Sequence, residues 1–386
     1  MRRLAFAILG LLLAVQGQAQ SIVPAPPQVA AEAYILIDAA TGFVIARGNP
    51  DQPLPPASLT KLMTSYVLAN EIAEGRLTRE ERTVVSENAW SQNPVFNGSS
   101  LMWIEPGKDV TIGELERGIV IASGNDATVA VAEHIAGSED AFAELMNQHA
   151  ERLGLSNSHF TNSHGLPDPN HYTTARDLAR LSAAIISNFP EHYSRYQELD
   201  YTYNDIRQYN RNKLLREDPS VDGLKTGYTS EAGYGLVASA LRGDMRLISV
   251  VLGTSSPTAR KNETRSLLNY GFRFYETAHL LDASEELDKP RIWKGRADYV
   301  SVGVLEEIVL TLPRGKRQQV ERRVALVDDI VAPLAVGDSV GDLTLLLDGE
   351  LIYQGPVVAL EAIEPGGFFA RLWDILLMWL SRLFGA

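Results

Sequence analysis

The chain has 386 residues, of which 45% are hydrophobic and 22% charged, enough apolar content to build a core and enough length for two or three domains. A formal net charge of −13 excludes the basic footprint that nucleic-acid binding requires, and the absence of cysteine excludes disulfides, thiol catalysis and thiolate metal sites. The 7 histidines are scattered, with no metal-ligand spacing such as His-Glu-x-x-His, so no metal and no cofactor is expected.

The first residues predict an export signal. Arg2 and Arg3 make a positive start, Leu4 to Val15 is almost continuously apolar, and Gly17-Gln18-Ala19 places small residues where a signal peptidase inspects the chain. Cleavage is expected after Ala19, so residues 1–19 form the signal; an uncleaved anchor would need about 20 apolar residues to cross a bilayer. Because residues 1–19 carry two arginines and no acid, their removal takes the net charge from −13 to −15.

A first domain is expected over 20–281. After the leader with Pro24, Pro26 and Pro27, Tyr34 to Asp38 and Phe43 to Ala46 read as a hairpin turning at Thr41-Gly42. From Pro56 to about Ile186 the period becomes helical, over Ser58–Glu71, Thr111–Ala122, Asp126–Ala136, Ala141–Leu153 and Thr174–Ile186, and the middle is predicted to be all-helical. Strands return at Gly235–Ala240 and Arg246–Leu252 around the turn Arg242-Gly243-Asp244, which predicts an antiparallel sheet built from both ends of the domain. The fold class is therefore α/β in the α+β sense.

A second, all-β domain is expected over 282–365. Its signals are the alternating segments Tyr299–Val304, Ile308–Leu312 and Val324–Val327 and a hairpin at Leu347-Asp348-Gly349-Glu350. Residues 366–386 form a terminal amphipathic helix. Phe368, Phe369, Leu372, Ile375, Leu376, Trp379, Leu380 and Leu383 share one face, while Arg371, Asp374, Ser381 and Arg382 lie on the other. That division, with its aromatic load, suits a helix lying on a membrane surface, and Gly366-Gly367 reads as a flexible joint before it.

Three polar clusters carry the chemistry: Ser58-Leu59-Thr60-Lys61, Ser123-Gly124-Asn125 and Lys225-Thr226-Gly227. A serine hydroxyl needs a neighbouring base before it can attack an amide at neutral pH. Pro53, Pro55 and Pro56 stop any incoming helix, so Ser58 is expected at a helix N-terminus, with Lys61 on the same face one turn later. Burial beside Leu62 and Met63 would depress the Lys61 pKa and leave a neutral amine. Each cluster alone has an ordinary reading, as a helix cap with a surface lysine, a capping turn and a strand end.

Together and in this order, the clusters resemble those of penicillin-binding proteins and active-site-serine β-lactamases. The longer stretches Pro56-Ala57-Ser58-Leu59-Thr60-Lys61-Leu62-Met63-Thr64, Val221-Asp222-Gly223-Leu224-Lys225-Thr226-Gly227 and His164-Gly165-Leu166, followed by Thr174-Ala175-Arg176-Asp177, are similar to low-molecular-mass D-alanyl-D-alanine carboxypeptidases. The resemblance spans nearly the whole chain. It implies a β-lactamase-like catalytic domain, a peptidoglycan pentapeptide substrate, acylation by β-lactams and tethering to the periplasmic face of the inner membrane. By position, it implies that Ser58 forms the acyl-enzyme, Lys61 takes its proton and Ser123 relays a proton to the leaving D-alanine. Asn125 would bind the substrate's amide region, Lys225 would help hold the terminal carboxylate and Ser123, and Thr226 and Gly227 would belong to the substrate-binding set. The backbone N–H groups of Ser58 and Tyr228 would form the oxyanion hole. Arg211 and Arg260 would be further cations near the carboxylate, with a surface ion pair as the alternative for each. Position 228 departs from the Thr or His common among relatives.

Three other readings compete. A class A β-lactamase would need a deacylating Glu in a Glu-x-x-Leu-Asn motif, which the chain lacks. A wall-binding or penicillin-sensing protein would bind without turnover. A zinc carboxypeptidase could draw on His159, His164, Asp168 and His171.

Overall fold

The computed structural model describes residues 23–384. The expected signal at 1–19 lies outside the described residues.

Strands β1 (Ala33–Asp38) and β2 (Val44–Gly48) form the expected hairpin, with Gly42 at φ +71° supplying a turn conformation that an L side chain resists. A single 3-10 turn over Ala57–Thr60 then leads into α1 (Lys61–Ala73), whose first nine residues are all buried. β3 (Arg82–Val84) and β4 (Asp109–Thr111) pair across a long loop, and α2 (Ile112–Arg117) starts at a capping box between Thr111 and Glu114. α2 continues as a π-helical turn over Gly118–Ala122 into α3 (Asn125–Ala136). α4 (Glu139–Arg152) and α5 (Ala175–Asn188) follow, N-capped by the hydroxyls of Ser138 and Thr174.

The middle of the chain is not all-helical. Besides β3 and β4, it is followed by a second small hairpin, β5 (Asp200–Tyr203) with β6 (Ile206–Tyr209), after the short α6 (Pro190–Tyr193). Between β3 and β4, Phe96, Met102 and Ile104 are fully buried against α2 and α3, but Pro94, Gly98 and Pro106 interrupt any helical run. The apolar residues there serve packing without imposing a period.

After α7 (Leu214–Glu217) come the three long strands β7 (Val221–Thr229), β8 (Gly233–Arg242) and β9 (Met245–Thr254). The sheet order is β2-β1-β9-β8-β7, antiparallel throughout, so the strand bearing Lys225-Thr226-Gly227 is an edge. Successive residues of β1 enter opposite cores: Ile35 and Ile37 pack with α1 and α5, and Leu36 packs with α8 (Pro257–Phe274). The sequence reading passed over α8 because its first half is polar. Its buried stripe, Thr264, Leu267, Leu268 and Gly271, is nonetheless one helical face.

β10 (Tyr275–Leu281) pairs with a strand from the second domain. That domain contains β11 (Glu286–Asp288), β12 (Val302–Gly303), β13 (Ile308–Pro313, the partner of β10), β14 (Val320–Leu326), β15 (Ser339–Leu347) and β16 (Glu350–Ala359). Its five-stranded sheet has the order β11-β12-β16-β15-β14. Asp348 and Gly349, both at positive φ, make the predicted two-residue hairpin turn. At the junction with the first domain, the buried Asp38 carboxylate accepts hydrogen bonds from Thr277 at 2.6 Å and Thr311 at 2.8 Å.

The terminal helix α9 (Phe368–Phe384) forms as predicted. Phe369, Leu372, Trp373, Leu376 and Trp379 are exposed, while Asp374 is half-buried against Lys294 and Met378 is buried. The expected flexible joint is instead held: Gly366 N donates to Lys294 O at 2.7 Å, and the Asp374 carboxylate accepts from Lys294 N at 2.6 Å. Among the described residues no helix is long and apolar enough to cross a membrane.

Candidate active site

Ser58 lies in the 3-10 turn just before α1, three residues ahead of Lys61, and Lys61 Nζ is 3.2 Å from Ser58 Oγ. The ammonium nitrogen is fully enclosed. It also reaches Asn125 Oδ1 at 2.7 Å and the carbonyl oxygen of His164 at 2.6 Å. Burial, the largest cause, pushes the Lys61 pKa down to about 7, with the Arg211 charge acting in the same direction against Asp126 and Glu139. The His164 carbonyl reaches this point because Gly165, at φ +89°, lets the chain pass against Ala57. A Cβ there would meet the Ala57 carbonyl oxygen at 1.8 Å.

The second cluster closes the π-helical turn. Ser123 is left-handed, at φ 63° and ψ 33°, which turns its hydroxyl into the cavity while α3 begins at Asn125. Gly124 has no room for a side chain, since a Cβ would lie 2.7 Å from Asp126 Oδ1 and 2.8 Å from Met102 N. The reason is the loop folded over it: Asp126, wholly buried, accepts the backbone N–H groups of Met102, Trp103 and Ile104, and Asn125 N donates to Ser100 O. Asp126 thus clamps the loop whose Gly98, Ser99 and Ser100 form one cavity wall.

The third cluster comes from the edge strand β7. Lys225 Nζ donates to Ser123 Oγ at 2.9 Å and to Thr226 O at 3.2 Å. Burial, reinforced by the nearby charges of Lys61, Arg211 and Arg260, holds the Lys225 pKa well below its usual value. Gly227 sits where a Cβ would press on Pro56 O and Leu59, so the strand lies close against the turn that carries Ser58. Tyr228 is 52% exposed and stacks on Tyr234.

Arg211 and Arg260 line the same cavity of about 310 Å³ with Ser58, Ser123, Asn125, Thr226 and Gly227. Among the described residues neither guanidinium forms an ion pair, so the surface-pair alternative does not describe them. Arg211 Nε instead donates to Ala122 O at 3.4 Å, and Arg260 Nη1 to Gly227 O at 3.1 Å. Burial pushes the Arg260 pKa down to about 10.

The histidines that suggested zinc are spent elsewhere. His171 Nδ1 accepts from Thr161 N and its Nε2 bonds Thr60 Oγ1 at 2.7 Å; His164 Nδ1 accepts from Leu166 N at 3.0 Å. Burial pushes their pKa values down to about 4 and about 3, so both rings are neutral. Among the described residues no group of three or more His, Asp or Glu is arranged to hold a metal ion. Sequence reasoning missed Asp126, the His164 carbonyl and Tyr234 as parts of the site. Asp126 adjoins Ser123-Gly124-Asn125 and His164 lies in the stretch His164-Gly165-Leu166, so both carried a signal that could have been followed; Tyr234 carried none.

A family model described as D-alanyl-D-alanine carboxypeptidase matches residues 20–256, and one described as the penicillin-binding protein 5 C-terminal domain matches 275–365. The chain belongs to the D-alanyl-D-alanine carboxypeptidase family. With that membership comes the activity class, a serine peptidase hydrolase with this specificity. D-alanyl-D-alanine carboxypeptidase DacC of Escherichia coli is 44% identical over 93% of this chain and 91% of its own length. Among solved structures, penicillin-binding protein 5 of Haemophilus influenzae superposes with a TM-score of 0.83 at 41% identity, covering 88% of this chain and 99% of that one. Penicillin-binding protein D2 of Listeria monocytogenes, solved in its ampicillin-bound form, is 28% identical with a TM-score of 0.56, over 64% of this chain and 100% of that one.

Proposed function

We propose that this carboxypeptidase removes the terminal D-alanine of peptidoglycan pentapeptides through an acyl-enzyme on Ser58. Lys61, whose pKa of about 7 leaves a large share of it as the neutral amine at neutral pH, takes the Ser58 proton as Oγ bonds to the carbonyl carbon of the penultimate D-alanine. The oxyanion is met by the backbone N–H groups of Ser58 and Tyr228, a donor pair of a kind worth about 3 kcal/mol each. The C–N bond breaks, the departing amine gains its proton through Ser123, and Lys225 holds the Ser123 hydroxyl. Water, deprotonated by Lys61, then hydrolyses the ester and restores Ser58. Asn125 presents its amide to the substrate backbone, while Lys225, Thr226, Arg211 and Arg260 meet the free carboxylate with charge-assisted hydrogen bonds. Edge strand β7, with Gly227 and Tyr228, offers unpaired main-chain groups along which an extended peptide can lie.

The observation that carries this reading is the enclosed Lys61 amine within hydrogen-bond reach of Ser58 Oγ. A class A β-lactamase reading gains nothing, because the described lining of the cavity contains no carboxylate to activate a deacylating water. β-Lactams are expected to acylate Ser58, their strained amide standing in for the D-alanyl-D-alanine bond. The domain plan is a signal over 1–19, a catalytic domain over 20–281, an all-β domain over 282–365 and a membrane-surface helix over 366–386, which places the enzyme at the periplasmic face of the inner membrane. D-alanine release from a pentapeptide by wild type, lost in Ser58→Ala, tests the enzyme against a non-hydrolysing sensor. Labelled penicillin that fails to attach to Ser58 would overturn the assignment.

A further inference from the structure

Tyr228 and Tyr234 face each other in register across β7 and β8, with ring centroids 4.1 Å apart and planes inclined by 22°. Directly opposed aromatic residues of an antiparallel pair stabilise one another's position, which is how a tyrosine that is 52% exposed stays upright at the cavity edge. The next pair inward is Gly227 opposite Gly235. Arg260 Nη1 donates to both of their carbonyl oxygens, at 3.1 and 3.4 Å, and its guanidinium carbon lies 5.6 Å from the centroid of the Tyr234 ring. Rings, glycines and arginine therefore make one connected corner. All of it, except Gly235, lines the cavity that holds Ser58 and Thr226.

Thr226 and Tyr228 are two residues apart on one strand and project to the same side. Thr226 and Arg260, the groups proposed to hold the terminal carboxylate, line the same cavity as both rings. We propose that the Tyr228–Tyr234 stack is a selectivity wall that admits the methyl group of a terminal D-alanine and turns away bulkier terminal residues. In this wall Tyr228 determines specificity, and Tyr234 is a positioning residue that steadies both Tyr228 and Arg260. This inference rests on the carboxypeptidase reading above.

The test compares kcat/KM for two acylated dipeptides, one ending in D-Ala-D-Ala and one in D-Ala-D-Leu, in the full chain and in Tyr228→Thr, Tyr228→Phe and Tyr234→Leu. The wall requires that Tyr228→Thr narrow the preference for D-alanine by about tenfold or more, the scale of discrimination set by a few methylenes in an apolar pocket. Tyr228→Phe retains the ring and so retains the preference. Tyr234→Leu raises KM for both substrates more than it lowers kcat, because Arg260 loses its support. The preference is a ratio, so it is independent of the fraction of correctly folded enzyme. A Tyr228→Thr ratio within about twofold of wild type, or a Tyr228→Phe ratio that moves as far as that of Tyr228→Thr, would refute the wall. If wild type released no D-alanine, the carboxypeptidase reading would fall and the wall with it; release with an unmoved ratio removes the wall alone.

Discussion

At the scale of residues, the chemistry depends on one lysine being enclosed. Lys61→Ala removes the group placed to take the Ser58 proton, and acylation by labelled penicillin is expected to slow by about 10²–10⁴-fold, the usual range for a general base. The acylation rate should also depend on pH with a definite sign. Burial lowers the Lys61 pKa to about 7, so below that value the amine is an ammonium that can accept nothing, and the rate should fall about tenfold per pH unit. Stopped-flow acylation from pH 5 to 9 would show a plateau above the break, and a flat profile would contradict the assignment. Ser58, Lys61, Ser123, Asn125 and Lys225 were legible as candidates because their order repeats a motif, and the fold brings all five together. The stretch His164-Gly165-Leu166 was visible, but the role of the His164 carbonyl as an acceptor for Lys61 was not, since a backbone oxygen's contact depends on which distant segment it meets.

At the scale of elements, the site is a meeting of one turn, one helix start and one edge strand. Gly124 is where they fit most closely. Gly124→Ala would place a Cβ 2.8 Å from Met102 N, so either the loop over Asp126 or the Ser123 turn must move. We expect a destabilisation of about 1–3 kcal/mol, the ordinary cost of overpacking, measured by urea denaturation, together with slower penicillin acylation. Unchanged stability and acylation would show that the loop yields freely. The sequence predicted β1, β2, α3, α4 and α5 well: α4 and α5 each have one buried face, while β1 and the first eight residues of α3 are almost wholly buried. It missed α8, whose apolar stripe is confined to its last turns, and the short strand pairs β3–β4 and β5–β6, whose three or four residues each are exposed or half-buried but for Val110 and so carry little alternation.

At the scale of the whole molecule, two polar attachments join the parts. Asp38 links the catalytic sheet to Thr277 and Thr311, so Asp38→Ala removes the acceptor of both hydroxyls, leaving Thr311 only its bond with Thr41, and should cost about 1–3 kcal/mol, seen in calorimetry as a lowered or split transition. Asp374 fixes α9 on the β-domain with its aromatic face outward. Deleting residues 368–386 should release the protein from membranes into the soluble fraction with D-alanine release intact; persistent membrane association would place the anchor elsewhere. By itself the sequence determined the family resemblance, the antiparallel α+β plan and the amphipathic tail, and it named Ser58, Lys61 and Lys225 as candidates, because these reside in residue type and period. Only the tertiary structure decided that Lys61 is buried, that Arg211 and Arg260 turn into the cavity rather than pair at the surface, and that the tail is pinned rather than loose. Desolvation and long-range hydrogen bonds depend on which distant segments come to lie side by side, and that is a property of the packed chain.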